Sequence, residues 1–284
     1  MSLEQFYPYP VRRISLVGHD CAYIDEGKGI PMVFLHGFSV NLASFAKNYP
    51  FFAKRRRVIA LDYPGYYLSD KKDAPYDIPF MARAVVELVE KLGIERTVLV
   101  GSSMGGAVAI ETALSRPDLI GALVLAAPGG FSGRNVVLSW LIGLQLLFMP
   151  KETVVAKMYE RLPGRVPAFF ADKASPFIET IRAGYEEMKK RGDFSLWVLT
   201  LAKMARSVLK ADLSDRARSV AAPTLIIWGD RDEVLPPAGA PAAKRAMGDR
   251  ARLVIFNGVG HVPFIEAPDR FNDLVDGFLT SLGL

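Results

Sequence analysis

The chain has 284 residues, half of them apolar, enough for a large buried core and too apolar for a disordered protein. Its one cysteine, Cys21, excludes an internal disulfide and argues against a cysteine metal site. The net charge is +5, yet the densest basic run, Lys54-Arg55-Arg56-Arg57, has no interleaved aromatic residues and no zinc spacing. It reads as a solvated helix end and loop ahead of a buried strand, which argues against nucleic-acid binding. From Met1 to Arg13 no apolar core of signal-peptide length occurs, and Pro8 and Pro10 interrupt the segment. No apolar run approaches the roughly 20 residues of a bilayer span. The expectation is a cytoplasmic protein, monomer or homodimer, without nucleic acid or a stable membrane span.

Short apolar runs alternate with longer amphipathic segments, the pattern of strands joined through helices into a mostly parallel sheet. Strands are expected at Arg13–Val17 and Ala22–Asp25, as an N-terminal hairpin turning at His19, then at Pro31–His36 and Arg57–Asp62. Ile78–Leu92 reads as a helix with Ala82, Val85, Val86, Val89 and Leu92 on one face and Gly93 as its stop. The strand Thr97–Gly101 precedes a helix at Met104–Ser115, closed by Arg116-Pro117, and Ala122–Ala127 follows as a further strand. Strands at Thr224–Gly229 and Arg252–Phe256, and a helix over Pro268–Leu282, complete the pattern.

Residues 131–220 break the alternation. Helical patterns there are punctuated by prolines, and the segment reads as a helical cap inserted into a core of residues 1–130 and 221–284. Its opening, Val136–Met149, is apolar nearly all round. Such a helix packs within the cap, lines an apolar substrate pocket with residues such as Trp140, or touches a lipid surface weakly.

The chemistry gathers around Gly101-Ser102-Ser103-Met104-Gly105, a G-x-S-x-G between a buried strand and a helix. A sharp strand-to-helix turn lifts the middle serine clear of the sheet, so only small residues fit at its flanks, and the helix start favours a developing oxyanion. Ser103 is therefore the candidate nucleophile; Ser102 lacks glycines at both flanking offsets. A serine needs a base, and the chain has three histidines. His261, in the loop Asn257-Gly258-Val259-Gly260-His261 after the last strand, is the candidate. His36 reads as shaping a loop near the nucleophile, and His19 as a hairpin turn. Two aspartates follow the strand ending at Gly229. Asp232 is the candidate acid, and Asp230 is the alternative, or else a turn cap or a partner of Arg231.

The order Ser, Asp, His, each on a loop after a different strand, resembles that of the α/β-hydrolase superfamily, in its branch of capped serine esterases and monoacylglycerol-lipase-like enzymes. Leu35-His36-Gly37-Phe38 resembles the family's H-G-x loop, Asp62-Tyr63-Pro64-Gly65 its D-x-x-G segment, and Gly260-His261 with Glu266 and Pro268 its histidine loop. The resemblance implies an α/β-hydrolase fold: a mostly parallel eight-stranded sheet flanked by helices, with a helical cap. It implies an oxyanion hole from the backbone N–H groups of Phe38 and Met104, and no metal or cofactor. His36, Ser102 and Trp140 are the expected pocket residues. Ser102 stands where the family often has histidine or asparagine, and Tyr66-Tyr67-Leu68-Ser69 where glycine and serine usually follow D-x-x-G.

A serine, not an aspartate, at the turn points to acyl transfer on a small ester, and the apolar segment Val136–Met149 points to a medium-length or apolar acyl group. The alternative is a carbon–carbon bond hydrolase of the meta-cleavage-product type. Those enzymes usually carry a glycine-rich stretch after H-G and tryptophan after the histidine, against Phe38-Ser39-Val40-Asn41 and Val262 here. A cofactor-free lyase, a perhydrolase or a ligand receptor on the same fold are the readings from other classes.

Overall fold

The structure, a computed structural model, describes residues 7, 9–131 and 163–284. Eight strands form one sheet in the order β1-β2-β4-β3-β5-β6-β7-β8. They are β1 (Arg12–Leu16), β2 (His19–Glu26), β3 (Pro31–Leu35), β4 (Arg57–Leu61), β5 (Thr97–Ser102), β6 (Ile120–Ala126), β7 (Thr224–Gly229) and β8 (Ala251–Phe256). Both β1 and β4 pair antiparallel with β2, and every other pairing is parallel. Strands β5, β6 and β7 are buried throughout, which explains their unbroken apolar sequences, whereas the edge strands β1 and β8 expose part of their length.

The first hairpin differs from expectation. Its turn falls at Val17-Gly18, both at positive φ (44° and 80°), so His19 begins β2 rather than forming the turn. His19 is buried, its ring edge-on to Tyr76 and Phe80. The basic run is also less solvated than its composition suggests. Arg55 is exposed, but Arg56 is buried against Asp276, and Arg57 makes a two-pronged pair with Asp25 at 2.7 and 2.8 Å.

Eight helices are described: α1 (Tyr49–Phe52), α2 (Ile78–Lys91), α3 (Met104–Ser115), α4 (Phe177–Lys189), α5 (Phe194–Lys210), α6 (Gly239–Met247), α7 (Pro263–Glu266) and α8 (Pro268–Ser281). The side chain of Asp77 caps α2 by accepting from Phe80 N–H. Helix α2 packs on α3. Helices α7 and α8 pack on the segment around α1, through the stacked rings of Phe45 and Phe264 and an Asn48–Asn272 hydrogen bond of 2.9 Å. Between β6 and β7, the described residues form a helical stretch at 163–165, α4, α5 and short 3-10 turns, and no strand. Helix α5 meets α2 through Ser207, whose hydroxyl accepts from Ile78 N–H at 3.0 Å. The segment Val136–Met149, Trp140 included, lies outside the described residues.

Parallel pairing brings the carboxyl ends of β3, β5, β7 and β8 to one edge of the sheet, where an open α/β sheet presents its loops. Backbones there approach closely. A methyl group on Gly105 would collide with the Leu35 carbonyl oxygen and lie 2.6 Å from that of His36. Neither neighbour is a flexible side chain, so Gly105→Ala has to push β3 and α3 apart. We expect a loss of about 3 kcal/mol or more, read as a lower urea midpoint with an unchanged denaturant slope. A midpoint within error of the parent would contradict this packing.

Candidate active site

Ser103 caps α3 with φ 53° and ψ −115°, a backbone conformation that L-residues avoid. Holding it there costs on the order of 1–3 kcal/mol, which the surrounding structure must offset. Its N–H donates to Ala126 O at 2.9 Å, tying the turn to β6, and its carbonyl accepts from Gly129 N at the same distance. The tight turn needs glycine on both sides. A side chain at Gly101 would strike Gly105, and one at Gly106 would sit 2.8 Å from Pro128.

Asp232 follows β7 and His261 follows β8. His261 Nδ1 donates to Asp232 Oδ2 at 2.8 Å, and both side chains are almost wholly buried. The other carboxylate oxygen accepts from the N–H groups of Val234 and Leu235 at 2.9 and 2.8 Å, so Asp232 is fixed on both sides. This arrangement leaves His261 Nε2 as the ring nitrogen turned away from the acid. Asp230 has a different place: it accepts from Gly258 N–H at 2.7 Å and staples the two loops together.

A cavity of about 230 Å3 is lined by Ser102, Ser103, His261 and Phe38 among others. A methyl group on Gly37 would lie 3.6 Å from Ser103 Cβ, so the loop carrying Phe38 runs alongside the serine. Met104, the expected second oxyanion donor, is not among the residues that line the cavity. Its N–H, at the first position of α3, has no intrahelical acceptor. The Met104 side chain is buried, with its sulfur 3.4 Å from Tyr66 Oη.

His36, expected at the pocket, does not line the cavity. It is buried under the loop, with Nδ1 bonded to Gly37 O at 2.8 Å and Nε2 accepting from Tyr63 N–H at 3.4 Å. The rings of Tyr63 and Tyr66 close around it. Its two ring nitrogens are used to shape the loop, which keeps it out of the open space. Trp140 lies outside the described residues.

Several contributors carry no motif. Phe169, Phe177, Thr180, Ile181, Val234, Phe264 and Ile265 also line the cavity, Phe169 with its ring 5.9 Å from that of His261. Glu266 bridges two loops, accepting from Gly260 N–H at 2.9 Å and Ala171 N–H at 2.8 Å, while His261 N–H donates to Phe169 O at 2.8 Å. The segment ahead of α4 is thereby fastened to the histidine loop. Only the short spacing of Glu266 from His261 hinted at this, because Ala171 lies 95 residues away.

Burial pushes the His36 imidazole down to about 4, against a partial opposing effect of the Gly37 carbonyl. Burial likewise pushes the Asp62 carboxyl up to about 6, although Tyr7, Leu42 and Leu68 donate hydrogen bonds to it and Lys71 is near. These shifts have opposite consequences. Unfolded, His36 takes up a proton near 6.5; its neutral burial stabilises the fold fully above that pH and progressively less down to about 4. Protonated Asp62 stabilises fully below 3.8, and that contribution is lost as the pH rises through about 6. In Asp62→Asn the His36 effect is unopposed, so stability should fall more steeply between pH 6 and 4 than in the parent. Urea midpoints across that window check this, and parallel profiles would contradict it.

Comparisons with known proteins bear on the family and the fold. The alpha/beta hydrolase family matches residues 32–274. The 2-hydroxy-6-oxo-6-phenylhexa-2,4-dienoate hydrolase of Comamonas testosteroni is 31% identical over 262 residues, covering 90% of each protein. Among solved structures, an N-acyl homoserine lactone degrading enzyme superposes with a TM-score of 0.79 at 26% identity, covering 94% of this chain and all of its own. The meta-cleavage product hydrolase of Pseudomonas fluorescens IP01 gives a TM-score of 0.78 at 26% identity, covering 95% of this chain and 97% of its own.

Proposed function

The chain belongs to the alpha/beta hydrolase family, and on that premise we propose that it is a serine hydrolase acting on carboxylic esters with an apolar acyl group. The observation that carries the reading is the buried Asp232–His261 pair, which opens onto the same cavity as the strained Ser103. Ser103 Oγ attacks the carbonyl carbon while His261 Nε2 takes its proton. The negative charge that develops on the carbonyl oxygen is held by the N–H groups of Phe38 and Met104, aided by the start of α3. Asp232 fixes the imidazole tautomer and stabilises the imidazolium. His261 then protonates the leaving alcohol. In the second half-reaction it deprotonates a water that attacks the acyl carbon and frees Ser103.

The cavity supports an apolar acyl group. Its lining includes Phe169, Phe177, Ile181, Phe264 and Ile265, no carboxylate lines it among the described residues, and Lys47 is the one lysine or arginine there. Lys47 is already engaged, with Nζ 3.1 Å from Ile265 O and 4.1 Å from the Phe177 ring centre. At about 230 Å3 the space falls below the several hundred Å3 of a drug-sized site, which suits a medium chain. Residues 131–220 act in this reading as a cap that closes the acyl site, and the substrate is a free small molecule.

A second reading, hydrolysis of a carbon–carbon bond in a ring-fission dienoate, is supported by the named relatives rather than by the lining. One assay separates the two. On a p-nitrophenyl ester series, kcat/KM should peak between about four and eight acyl carbons, and Ser103→Ala and His261→Ala should each lose at least about 10³-fold. Best activity on acetyl or charged acyl groups contradicts the apolar site. Faster turnover of a 2-hydroxy-6-oxo-dienoate than of any ester favours the second reading. No turnover of either, with ligand binding intact, contradicts an enzyme.

A further inference from the structure

The loop that carries Phe38 also holds a non-glycine residue in a left-handed conformation. Ser39 has φ 61° and is completely buried. Serine does not adopt this backbone without help, because its Cβ crowds the adjacent carbonyl. The help comes from two tyrosines on different elements. Tyr67, from the loop after β4, donates its hydroxyl proton to the Ser39 carbonyl oxygen at 3.0 Å. Tyr185, on α4, has its hydroxyl 2.8 Å from Ser39 Oγ. Both rings pack against Trp197 on α5, at 5.6 and 6.1 Å between ring centres. The brace therefore spans the sheet loops and helices α4 and α5.

We infer that Tyr185 and Tyr67 are positioning residues for the oxyanion donor: by clamping Ser39 on its side chain and its carbonyl, they hold the Phe38 N–H from the Ser39 side, while His36 holds the carbonyl of the same Gly37–Phe38 peptide. The Gly37 carbonyl, in the same planar peptide as the donor, is bonded to His36 Nδ1 at 2.8 Å, and beyond Ser39 the side chain of Asn41 accepts from Ala43 N–H at 3.0 Å. Ser39 lies between these two hydrogen bonds, next to the donor. Burial pushes the Tyr185 hydroxyl up to about 12, so the brace stays uncharged wherever a histidine base operates. Helix α4 also lines the cavity through Phe177, Thr180, Ile181 and Gly184, so the element that contacts the acyl group also sets the donor. The inference rests on the acyl-transfer reading above.

Tyr185→Phe keeps the ring and removes only the hydroxyl. Losing one oxyanion donor outright costs about 10²–10³ in kcat, so misdirecting one should cost about ten-fold. With p-nitrophenyl butyrate we expect kcat of Tyr185→Phe to fall about ten-fold, with KM within about two-fold of the parent. The Kd of butylboronic acid, whose serine adduct presents a tetrahedral oxyanion, should rise by a similar factor. Glycine takes a positive φ without a brace, so Ser39→Gly combined with Tyr185→Phe should recover most of the lost kcat. Parent kcat in Tyr185→Phe, a change confined to KM, or a double variant no better than Tyr185→Phe would each overturn the inference. Thermal melting of every variant separates loss of fold from loss of positioning, and a drop in kcat that tracks unfolded fraction also overturns it. If Ser103→Ala is inactive, such a result removes this inference alone. If Ser103→Ala keeps its turnover, the acyl-transfer reading fails and this inference with it.

Discussion

The turn at Ser103 is the constraint on which the rest of the structure depends. A serine at φ 53° between β5 and α3 is held in place only if α3 can start directly against the strand. That requires glycine at 101 and 105, and contact between Gly105 and the Leu35–His36 carbonyls at the end of β3. The same contact brings the Gly37–Phe38 loop beside Ser103. The strain at one residue and the neighbouring loop's position are thus consequences of one packing arrangement.

On the opposite side, the loops after β7 and β8 are locked to each other before either reaches the cavity. Gly229 admits no side chain because the backbone of Val259 and Gly260 runs against it. Asp230 accepts from Gly258, Arg231 N–H donates to Val259 O, and Asp232 holds His261. Neighbouring residues of one loop thus divide the work: Asp230 sets the distance between loops, and Asp232 sets the orientation of the ring. Glu266 adds a third tie, from the histidine loop to the backbone ahead of α4. The segment that carries Phe169 is in this way tied to the loop that carries His261.

Much of this was legible in the sequence where the signal is local. The buried central strands announce themselves as unbroken apolar runs, and the glycines around Ser103 mark a turn that only small residues allow. The acid loop separates its two aspartates by position. Other features depend on partners far apart in the chain and left no local trace. Ser39 and Tyr185 are 146 residues apart, and neither belongs to a pattern that demands the other. The hairpin turn was misplaced because Val17, a β-branched residue, occupies a positive-φ position that glycine or asparagine usually signals. His36 looked like a pocket residue because it adjoins the loop, but its hydrogen bonds to Gly37 and Tyr63 turn it under that loop. Tyr66 and Tyr67, in place of smaller residues after Gly65, are explained by what they fill. One packs on His36, and the other braces Ser39.

The central claim is that Ser103 carries the acyl group during turnover. Rapid acid quench of the enzyme with p-nitrophenyl butyrate, followed by peptide mass mapping, tests it most directly. The account predicts a butyryl mass increment on the peptide containing Ser103, formed within the first turnover and absent in Ser103→Ala. Turnover at full rate with no acyl increment on that peptide, or an increment on another residue, would contradict it.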